Sequence, residues 1–545
     1  MRALVRAVFL ILLVLQLGLV WVFPRYASQD GPSHLYNSAV IAALRSGSWN
    51  GLSAFFRLNP RIVPNWTTYF LLIQLMKVFS PANAEKILVS SYIVLFALSF
   101  WWVVKLIRPD SEHFLIWGLV LGGNYFLSMG FYNFCYGLAF FLLCFGYWFK
   151  WRKGFGFKQW LVLLILASLL YLTHFFCFLM AQFLIAVTGS FVCLGDVREG
   201  KEPGSAPRSF AKLFLRSVVI PELCFLVFML LNPFRAVGTQ YVSHPETGYR
   251  LADILQHLRA HYGASIFYLL LDCFGSLAKI FILVTAVFIV IAFYWTFRRS
   301  QEPISAVGYG LATFSVVCIA FYIFGVSEYS GTGNGFLRER AGWFGLWGIF
   351  AFLASRGWNP RGKFLISATA TILCVTSLLS GALWRRQVSP LLKTYDDVAR
   401  LVEPGKTIFT VCYCIKFNTN YVLFRRVIVT PLLHAGDITA LAGRDISLAN
   451  YEGTSTSFPV EYLPEVNPAL HTPKLMEIEY PQVVDLDDYE EKTGKSIDYV
   501  IVWGDQQIPE YGSGGDSPLW RQLRARYTLV YSSSGSSPLR LFRKM

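Results

Sequence analysis

Charged residues are scarce in this sequence. They make up only 15% of its 545 residues, whereas hydrophobic residues make up 55% and aromatic residues 17%. A soluble protein of ordinary composition has about 25% charged residues, because charge keeps its surface solvated. The shortage excludes a cytosolic enzyme, a disordered chain and a coiled coil. The composition predicts a chain that crosses a lipid bilayer many times.

A cysteine pattern suited to disulfides or metal is also missing. Ten cysteines are present, but most lie in apolar segments, where cysteine behaves as a small hydrophobic residue. The two outside such segments, Cys412 and Cys414, would share one face of a strand, which is poor geometry for a disulfide. The sequence therefore excludes a small secreted protein held together by disulfides, and it shows no metal-ligand spacing.

Positive charge is in excess, with 48 Lys and Arg against 33 Asp and Glu, a net charge of +15. These residues stand in short loops between apolar runs and form no long stripe, so we expect no nucleic-acid partner. In a membrane protein such loops face the cytoplasm and contact anionic membrane lipids. The clusters assigned to that side are 150–153, 198–216, 298–299 and 356–363.

Apolar runs long enough to cross about 30 Å of hydrocarbon define the topology. We place the N-terminus inside and the basic clusters on the same side, which gives about eleven crossings. Because each crossing changes the side of the chain, the run 62–79 must then be a partial or re-entrant element. The crossing runs are 7–23, 84–106, 113–129, 131–149, 159–173, 175–194, 213–231, 276–297, 304–326, 341–355 and 364–384. A membrane module of residues 1–384 would then expose the loops 24–61, 232–265 and 327–340 on the outer face.

The tail, residues 385–545, has a different character. Its apolar runs have the length of strands, at 407–412, 427–430, 499–503, 527–531 and 539–542. Helix-like stretches at 395–402 and 518–526, and turns rich in Pro, Gly and Asp, stand between them. Strands interleaved with helices predict a soluble extracytoplasmic α/β domain.

The first outer loop carries Ser28-Gln29-Asp30-Gly31-Pro32-Ser33-His34, followed by apolar residues spaced as in a short amphipathic interfacial helix over 35–46. Pro32 suits a first helical turn, so Asp30 could simply cap this helix. Alternatively, Asp30 is a carboxylate held above the membrane with His34 nearby. Such a carboxylate can deprotonate an acceptor hydroxyl or help to hold a divalent ion. Spacing alone favours the cap.

Two arginines stand where the positive-inside bias disfavours them. Arg338 and Arg340 follow a glycine-rich loop and begin the outer end of a predicted helix. They could reach toward the interface or pair with Glu339. They could also bind a phosphate, because a planar guanidinium donates parallel hydrogen bonds to phosphate oxygens. The sequence leaves both interpretations open.

Other polar residues near predicted outer turns are candidates for lining a cavity. They are Tyr132, Asn133, His174 and Glu328. A histidine beside membrane segments is a functional candidate by default. Packing by aromatic residues and hydrogen bonds to the backbone would also account for them.

Several short motifs together indicate a family. They are the first-loop Asp30, Val63-Pro64-Asn65-Trp66, Pro81-Ala82-Asn83-Ala84-Glu85-Lys86, the turn at Tyr132-Asn133, and the Tyr-Leu-Thr-His-Phe-Phe stretch around His174 that ends in Gln182. With the long first loop and the closing α/β domain, they resemble the GT-C superfamily of membrane glycosyltransferases. The layout is most similar to the branch of the protein O-mannosyltransferases and the bacterial lipid A aminoarabinose transferase.

The resemblance implies transfer of a sugar, with inversion, from a polyprenyl-phosphate donor to a protein, lipid or glycan acceptor on the outer face. By position, Asp30 would be the base or metal partner, with His34 beside it. Arg338 and Arg340 would hold the donor phosphate, and His174 would stand in the cavity wall. The expected location is the bacterial inner membrane of the cell envelope, with a cytoplasmic N-terminus and a periplasmic or extracellular C-terminal domain.

One departure from the family concerns the metal. Many members carry a second carboxylate in the first loop, whereas Gly31-Pro32-Ser33-His34 follows Asp30 here. A divalent cation, Mg²⁺ or Mn²⁺, therefore stays open as a cofactor, with Asp30 and His34 as its ligands if it binds.

Two other functional classes stay open. A chain with this fold could have lost catalysis and serve as a scaffold or assembly subunit, with a partner in a membrane or cell-envelope complex. A transporter or lipid flippase is the other class. The sequence shows neither the inverted repeat nor the mid-membrane charge pairs of transporters, and this disfavours the latter class.

Overall fold

The computed structural model describes residues 2–152, 154, 156–198, 264–271, 277–298, 302–325, 335–413, 419–422, 425–455, 457–471, 484–504, 517–534 and 538–545. The predicted run 213–231, nearly all of the loop 232–265, and Glu328 lie outside these residues. The described residues are mostly helical, and a smaller set of strands lies chiefly in the tail.

The helices are α1 (Arg2–Val22), α2 (Gly31–Ser46), α3 (Thr67–Leu75), α4 (Pro81–Ile107), α5 (Trp117–Gly122), α6 (Tyr125–Met129), α7 (Tyr132–Trp151), α8 (Phe157–Thr173), α9 (Phe175–Arg198), α10 (Ala278–Arg298), α11 (Ala306–Phe324), α12 (Leu337–Ala354), α13 (Pro360–Ala399), α14 (Gly436–Gly443), α15 (Pro468–His471), α16 (Leu486–Thr493) and α17 (Pro518–Arg526). The strands are β1 (Phe56–Leu58), β2 (Thr407–Cys412), β3 (Thr419–Val422), β4 (Arg425–Ile428), β5 (Ile446–Ser447), β6 (Val460–Tyr462), β7 (Tyr499–Trp503), β8 (Tyr527–Ser532) and β9 (Leu539–Lys544).

Within the described ranges, seven helices are long and apolar enough to span a membrane: α1, α4, α7, α9, α10, α11 and α13. Side-chain caps mark where several of them begin. Ser80, Ser305 and Asn359 each accept a backbone N–H from the first turn of α4, α11 and α13. The chain thus has the architecture of an integral membrane protein. The number of crossings and their orientation stay predictions.

The run 113–129, predicted as one crossing, is not a single helix. It divides into a 3-10 turn at Glu112–Phe114, α5 and α6. The break falls at Gly123 and Asn124, where the Asn124 side chain accepts the N–H of Phe126 and starts α6. The partial element predicted for 62–79 corresponds to α3, whose nine residues are too short to cross the hydrocarbon.

The first loop belongs structurally to the tail. The helix predicted over 35–46 is α2, but it is not an interfacial helix with one polar face, because polar residues such as Ser33 and Asn37 are buried along it. It packs against α14 of the tail. Farther along the loop, β1 pairs antiparallel with β6, with Phe56 opposite Tyr462. The first loop therefore docks into the domain that closes the chain.

The tail folds as an α/β unit. Its main sheet has the strand order β5-β2-β7-β9-β8, with β2 parallel to β5 and β7, and with β9 antiparallel to β7 and β8. Every residue of β7 is buried, as its uninterrupted apolar sequence requires. Helix α13 continues without a break to Ala399, past the predicted boundary at 384/385. This helix joins the membrane bundle directly to the sheet.

The helix bundle has two different ends. At one end, the start of α1, the end of α4 and the start of α13 meet through ion pairs of Glu112 and Asp110 with basic residues. We call this the paired end. At the other end, which we call the site end, the start of α2 and the turn before α7 meet the tail around Asp30.

Candidate active site

Asp30 stands at the start of α2 in a tightly packed corner. Its backbone N–H donates to the carbonyl of Met129 over 3.0 Å. Gly130 has a φ of +77°, and a Cβ there would lie 2.8 Å from the backbone nitrogen of Asp30. A Cβ on Gly31 would lie 2.0 Å from Oε1 of Glu85. The start of α2 therefore approaches the turn at Gly130 and the Glu85 side chain so closely that positions 31 and 130 require glycine. This close approach fixes the position of Asp30.

The Asp30 side chain does not cap α2, because it makes no hydrogen bond to the first-turn N–H groups. Instead, Oδ2 accepts from the Tyr451 phenol at 2.8 Å, and Oδ1 accepts from the Gln29 amide at 3.2 Å. Nε2 of His434 lies 3.7 Å from Oδ1, beyond hydrogen-bond distance. Burial raises the pKa of Asp30 to about 6, against opposing effects of His34 and Tyr451. A carboxylate with this pKa suits general-base chemistry near neutral pH.

His34 is held through both ring nitrogens. Nε2 donates to the Gly130 carbonyl at 2.9 Å, and Nδ1 lies 2.8 Å from Oε1 of Glu452. The Tyr69 phenol, 3.0 Å from Nδ1, gives its own proton to Oε2 of Glu452. Burial opposes a charge on the ring, but Glu452 outweighs it, so the pKa of His34 is raised. Both nitrogens face acceptors, which together with the raised pKa favours a protonated ring, and the predicted roles of His34 as a partner of Asp30 or a metal ligand stay predictions.

The tail places two further buried carboxylates against α2. Glu452 accepts from the Asn37 amide at 2.6 Å. Asp437 accepts from the hydroxyls of Ser33 and Ser447, each at 2.5 Å, and burial raises its pKa to about 6. Sequence reasoning missed both carboxylates, together with Tyr451 and His434. Some 400 residues separate them from α2, and no local pattern marks such a contact.

Of the predicted cavity-lining residues, two have their polar groups engaged. The Tyr132 phenol donates to Glu85 at 2.6 Å. Glu85 lies in a motif that carried the family resemblance, although no role was assigned to it. The Asn133 amide accepts from the N–H of Thr68 at 3.0 Å and donates to the carbonyl of Asn65 at 3.1 Å. Asn133 therefore anchors the start of α3, as the backbone-bonding interpretation predicted.

Arg340 is a buried cation beside an aromatic wall. It is 9% exposed, and its guanidinium carbon lies 5.3 Å from the ring centre of Phe131 and 5.4 Å from that of Phe134. Its side chain makes no hydrogen bond or ion pair with any residue that the structure describes. The two rings offset part of the cost of burying the charge. An anion would supply the remaining compensation.

His174 shares this wall. Its ring packs edge-on against Phe134 with centroids 5.1 Å apart, and its buried Nδ1 has no hydrogen-bond partner in the described part of the chain. The charge of Arg340 is close enough to act on His174, and the charge of Asp30 is close enough to act on Arg340. Arg338 is half-buried in the same turn of α12. The structure thus groups Asp30, Arg340 and His174 at the site end.

A divalent cation does not fit the described site. Mg²⁺ and Mn²⁺ require several oxygen ligands around one point. Among the residues described, no three His, Cys, Asp or Glu side chains stand close enough to share an ion. Both oxygens of Asp30 and both nitrogens of His34 are already engaged. The described residues therefore present no ready ligand set for Mg²⁺ or Mn²⁺.

Among known proteins, similarity to this chain is found at the level of solved structures. No protein-family model and no curated protein matches the chain. The chain is similar to the crystal structure of the Archaeoglobus fulgidus oligosaccharyltransferase in complex with Zn and sulfate, with 12% identity and a TM-score of 0.44 over 98% of this chain and 72% of that one. Because the TM-score is below 0.5, no residue role is carried over from it.

Proposed function

We propose that this protein is a membrane glycosyltransferase that moves a sugar from a polyprenyl-phosphate donor to an acceptor hydroxyl on the outer face of the membrane. The observation that carries the proposal is the grouping of a buried carboxylate, Asp30, with a buried cation, Arg340, that has no carboxylate partner among the described residues. A donor phosphate would satisfy Arg340 through parallel hydrogen bonds.

The two groups suit the two sides of one displacement. Asp30 takes the proton of the acceptor hydroxyl while the acceptor oxygen bonds to the anomeric carbon of the sugar. The bond from that carbon to the phosphate oxygen breaks, and the phosphate leaves with both electrons. Arg340 stabilises the charge that develops on the leaving phosphate. Attack from the face opposite the phosphate inverts the anomeric carbon.

The test is a transfer assay on the purified protein. It would use a pool of radiolabelled polyprenyl-phosphate sugars, a membrane extract as acceptor, and the variants Asp30→Asn and Asp445→Asn. Asp445 is a matched control, because burial raises its pKa to about 7 but its carboxylate accepts from the Lys406 backbone and has no contact with Asp30.

We expect transfer by the wild type and by Asp445→Asn, and a loss of about 10²- to 10⁴-fold in Asp30→Asn, the usual contribution of a general base. Transfer that survives in Asp30→Asn would keep the enzyme but remove Asp30 from its centre. Absence of transfer from every donor by folded wild-type protein would refute the proposed function.

A further inference from the structure

Tyr451 covers Asp30 from the tail side. Its phenol oxygen lies 2.8 Å from Oδ2 of Asp30 and 3.4 Å from Oε1 of Glu452. The ring packs on His434 with centroids 4.5 Å apart and meets Phe458 edge-on at 6.1 Å. Asp30 is only 3% exposed, whereas Tyr451 is partly exposed. The phenol therefore covers the tail side of the Asp30 carboxylate.

This hydrogen bond matches the one that an acceptor would make. A hydroxyl that is to be deprotonated must first donate its proton to the base within about 2.6–3.2 Å. Tyr451 already donates such a bond to Oδ2, while Gln29 and His434 face Oδ1. The phenol therefore occupies the tail-side approach to Oδ2, and an acceptor that comes to this oxygen from that side must displace it.

We infer that Tyr451 holds the place of the acceptor hydroxyl on Asp30 in the resting enzyme and passes its hydrogen bond to Glu452 when the acceptor binds. The inference rests on the proposed function, because it assigns the same carboxylate as base. Tyr451 is then a positioning residue that controls access to Asp30.

Glu452 is placed to receive the displaced proton donor. Its Oε1 is already 3.4 Å from the phenol and 2.8 Å from Nδ1 of His34, and a carboxylate oxygen can accept two hydrogen bonds. A small movement of Tyr451 therefore frees Asp30 without leaving a buried hydroxyl unsatisfied, which would otherwise oppose the movement. No covalent bond changes in this step.

The exchange has a signature in the pH dependence. Three elements place polar or charged groups around Asp30. Its own segment contributes His34 and Gln29, and α12 contributes Arg340. The tail contributes Tyr451, His434 and Glu452. The Tyr451 hydroxyl stabilises the ionised carboxylate, so its removal raises the pKa of Asp30 in the free enzyme. In the acceptor complex the acceptor hydroxyl has replaced the Tyr451 hydroxyl on Asp30. Removing the Tyr451 hydroxyl therefore leaves the pKa of Asp30 unchanged in that complex.

The experiment compares wild type, Tyr451→Phe, Tyr451→Leu and Tyr462→Phe. Rates of transfer from a fixed polyprenyl-phosphate sugar would be measured over a dilution series of one membrane extract, from pH 5 to 8. Tyr451→Leu keeps apolar contact with Phe458 if the Phe variant folds poorly. Tyr462 is a matched control, a buried phenol that donates to the Ser447 carbonyl at 2.6 Å. Thermal melting would confirm that each variant is folded.

Both Tyr451 variants should show an apparent KM for the acceptor about three- to tenfold lower than that of wild type, because no hydrogen bond has to be displaced. The acid limb of kcat/KM, which reports the free enzyme, should move to higher pH, while the acid limb of kcat stays in place. Tyr462→Phe should match wild type in both.

An unchanged or higher KM in both folded Tyr451 variants would overturn the inference. So would a parallel movement of both limbs, because Tyr451 would then stay on Asp30 in the acceptor complex. Absence of transfer by wild type is a different result: it refutes the proposed function and this role for Tyr451 with it.

Discussion

The two ends of the helix bundle treat buried charge in opposite ways. At the paired end, Glu112 binds Arg6 and Lys105, and Asp110 lies 2.8 Å from Nζ of Lys363. Burial would raise the pKa of Asp110, but Lys363 and Arg108 outweigh it and hold that pKa at about 2. At the site end, hydroxyls and amides hold Asp30 and Asp437, and Glu452 faces the imidazole of His34.

The difference indicates which end is built for a ligand. Opposite charges placed in contact satisfy one another and leave nothing for a substrate. At the site end Arg340 and Asp30 are both buried, yet neither forms an ion pair with the other. A buried charge kept from its counter-charge costs free energy unless a ligand completes it. Such a cost is common at functional sites, where the bound ligand recovers it.

Among variants that compare the two ends, Arg340→Gln at the site end should cause the largest loss of transfer activity. We expect kcat/KM for the lipid donor to fall about 10²-fold, because a charge-assisted bidentate contact to phosphate is lost. Arg340→Lys should recover only part of this, since an ammonium lacks the planar pair of donors. The measurement is the initial rate of transfer against donor concentration. Full activity in Arg340→Gln would show that this cation does not face the donor.

Gly31→Ala tests the packing of the site end. Its Cβ would lie 2.0 Å from Oε1 of Glu85 and 2.3 Å from the hydroxyl of Ser28, so either the helix or these side chains must move. We expect a loss of about 1–3 kcal/mol, the usual cost of overpacking, seen as a lower Tm in detergent. Gly18→Ala in α1 is the matched control, with nothing within 4 Å of its Cβ. Equal melting of both variants would contradict the packing described for Asp30.

The pH dependence should differ between the ends. Transfer should fall about tenfold per pH unit below pH 6, because the base Asp30 must be ionised. Burial raises the pKa of both Asp30 and Asp437 from 3.8 to about 6 in the folded protein. The folded state therefore binds more protons between these values, and the site end loses stability as the pH rises from 3.8 to 6.

The paired end should behave in the reverse sense. The pKa of Asp110 is lowered from 3.8 to about 2, so the stability it contributes is present above pH 3.8 and is lost as the pH falls toward 2. Hydrogen exchange of amides at the two ends, followed between about pH 2 and 7 to cover both pKa windows, would separate the two trends. The same trend at both ends would contradict the contrast in charge pairing.

The sequence predicted local features well and long-range contacts poorly. Apolar runs gave the spanning helices, and β2, β7 and α17 match the predicted ranges, because periodicity and caps are local. Asp30 was singled out by its place before a predicted helix and Arg340 by its conflict with the positive-inside bias, and the family resemblance then supplied the roles predicted for them. The sequence could not identify Glu452 and Tyr451 as site residues. They contact Asn37 and Asp30, which lie more than 400 residues earlier in the chain. The partners of His34, the Gly130 carbonyl and Glu452, could not be found for the same reason, because they lie outside its own loop.

Glu112→Gln should give the smallest effect and completes the comparison. Glu112 is buried, but its partners Arg2, Arg6 and Lys105 have side chains 68%, 51% and 38% exposed, so water already screens these pairs. We expect a loss below about 1 kcal/mol, measured as a small decrease in Tm, because exposed ion pairs contribute little. Transfer should stay at the wild-type rate, since Glu112 lies at the opposite end of the bundle from Asp30. A loss of transfer in a stable Glu112→Gln protein would mean that the two ends are coupled, and the site would then have to be described together with the charges at the far end of the bundle.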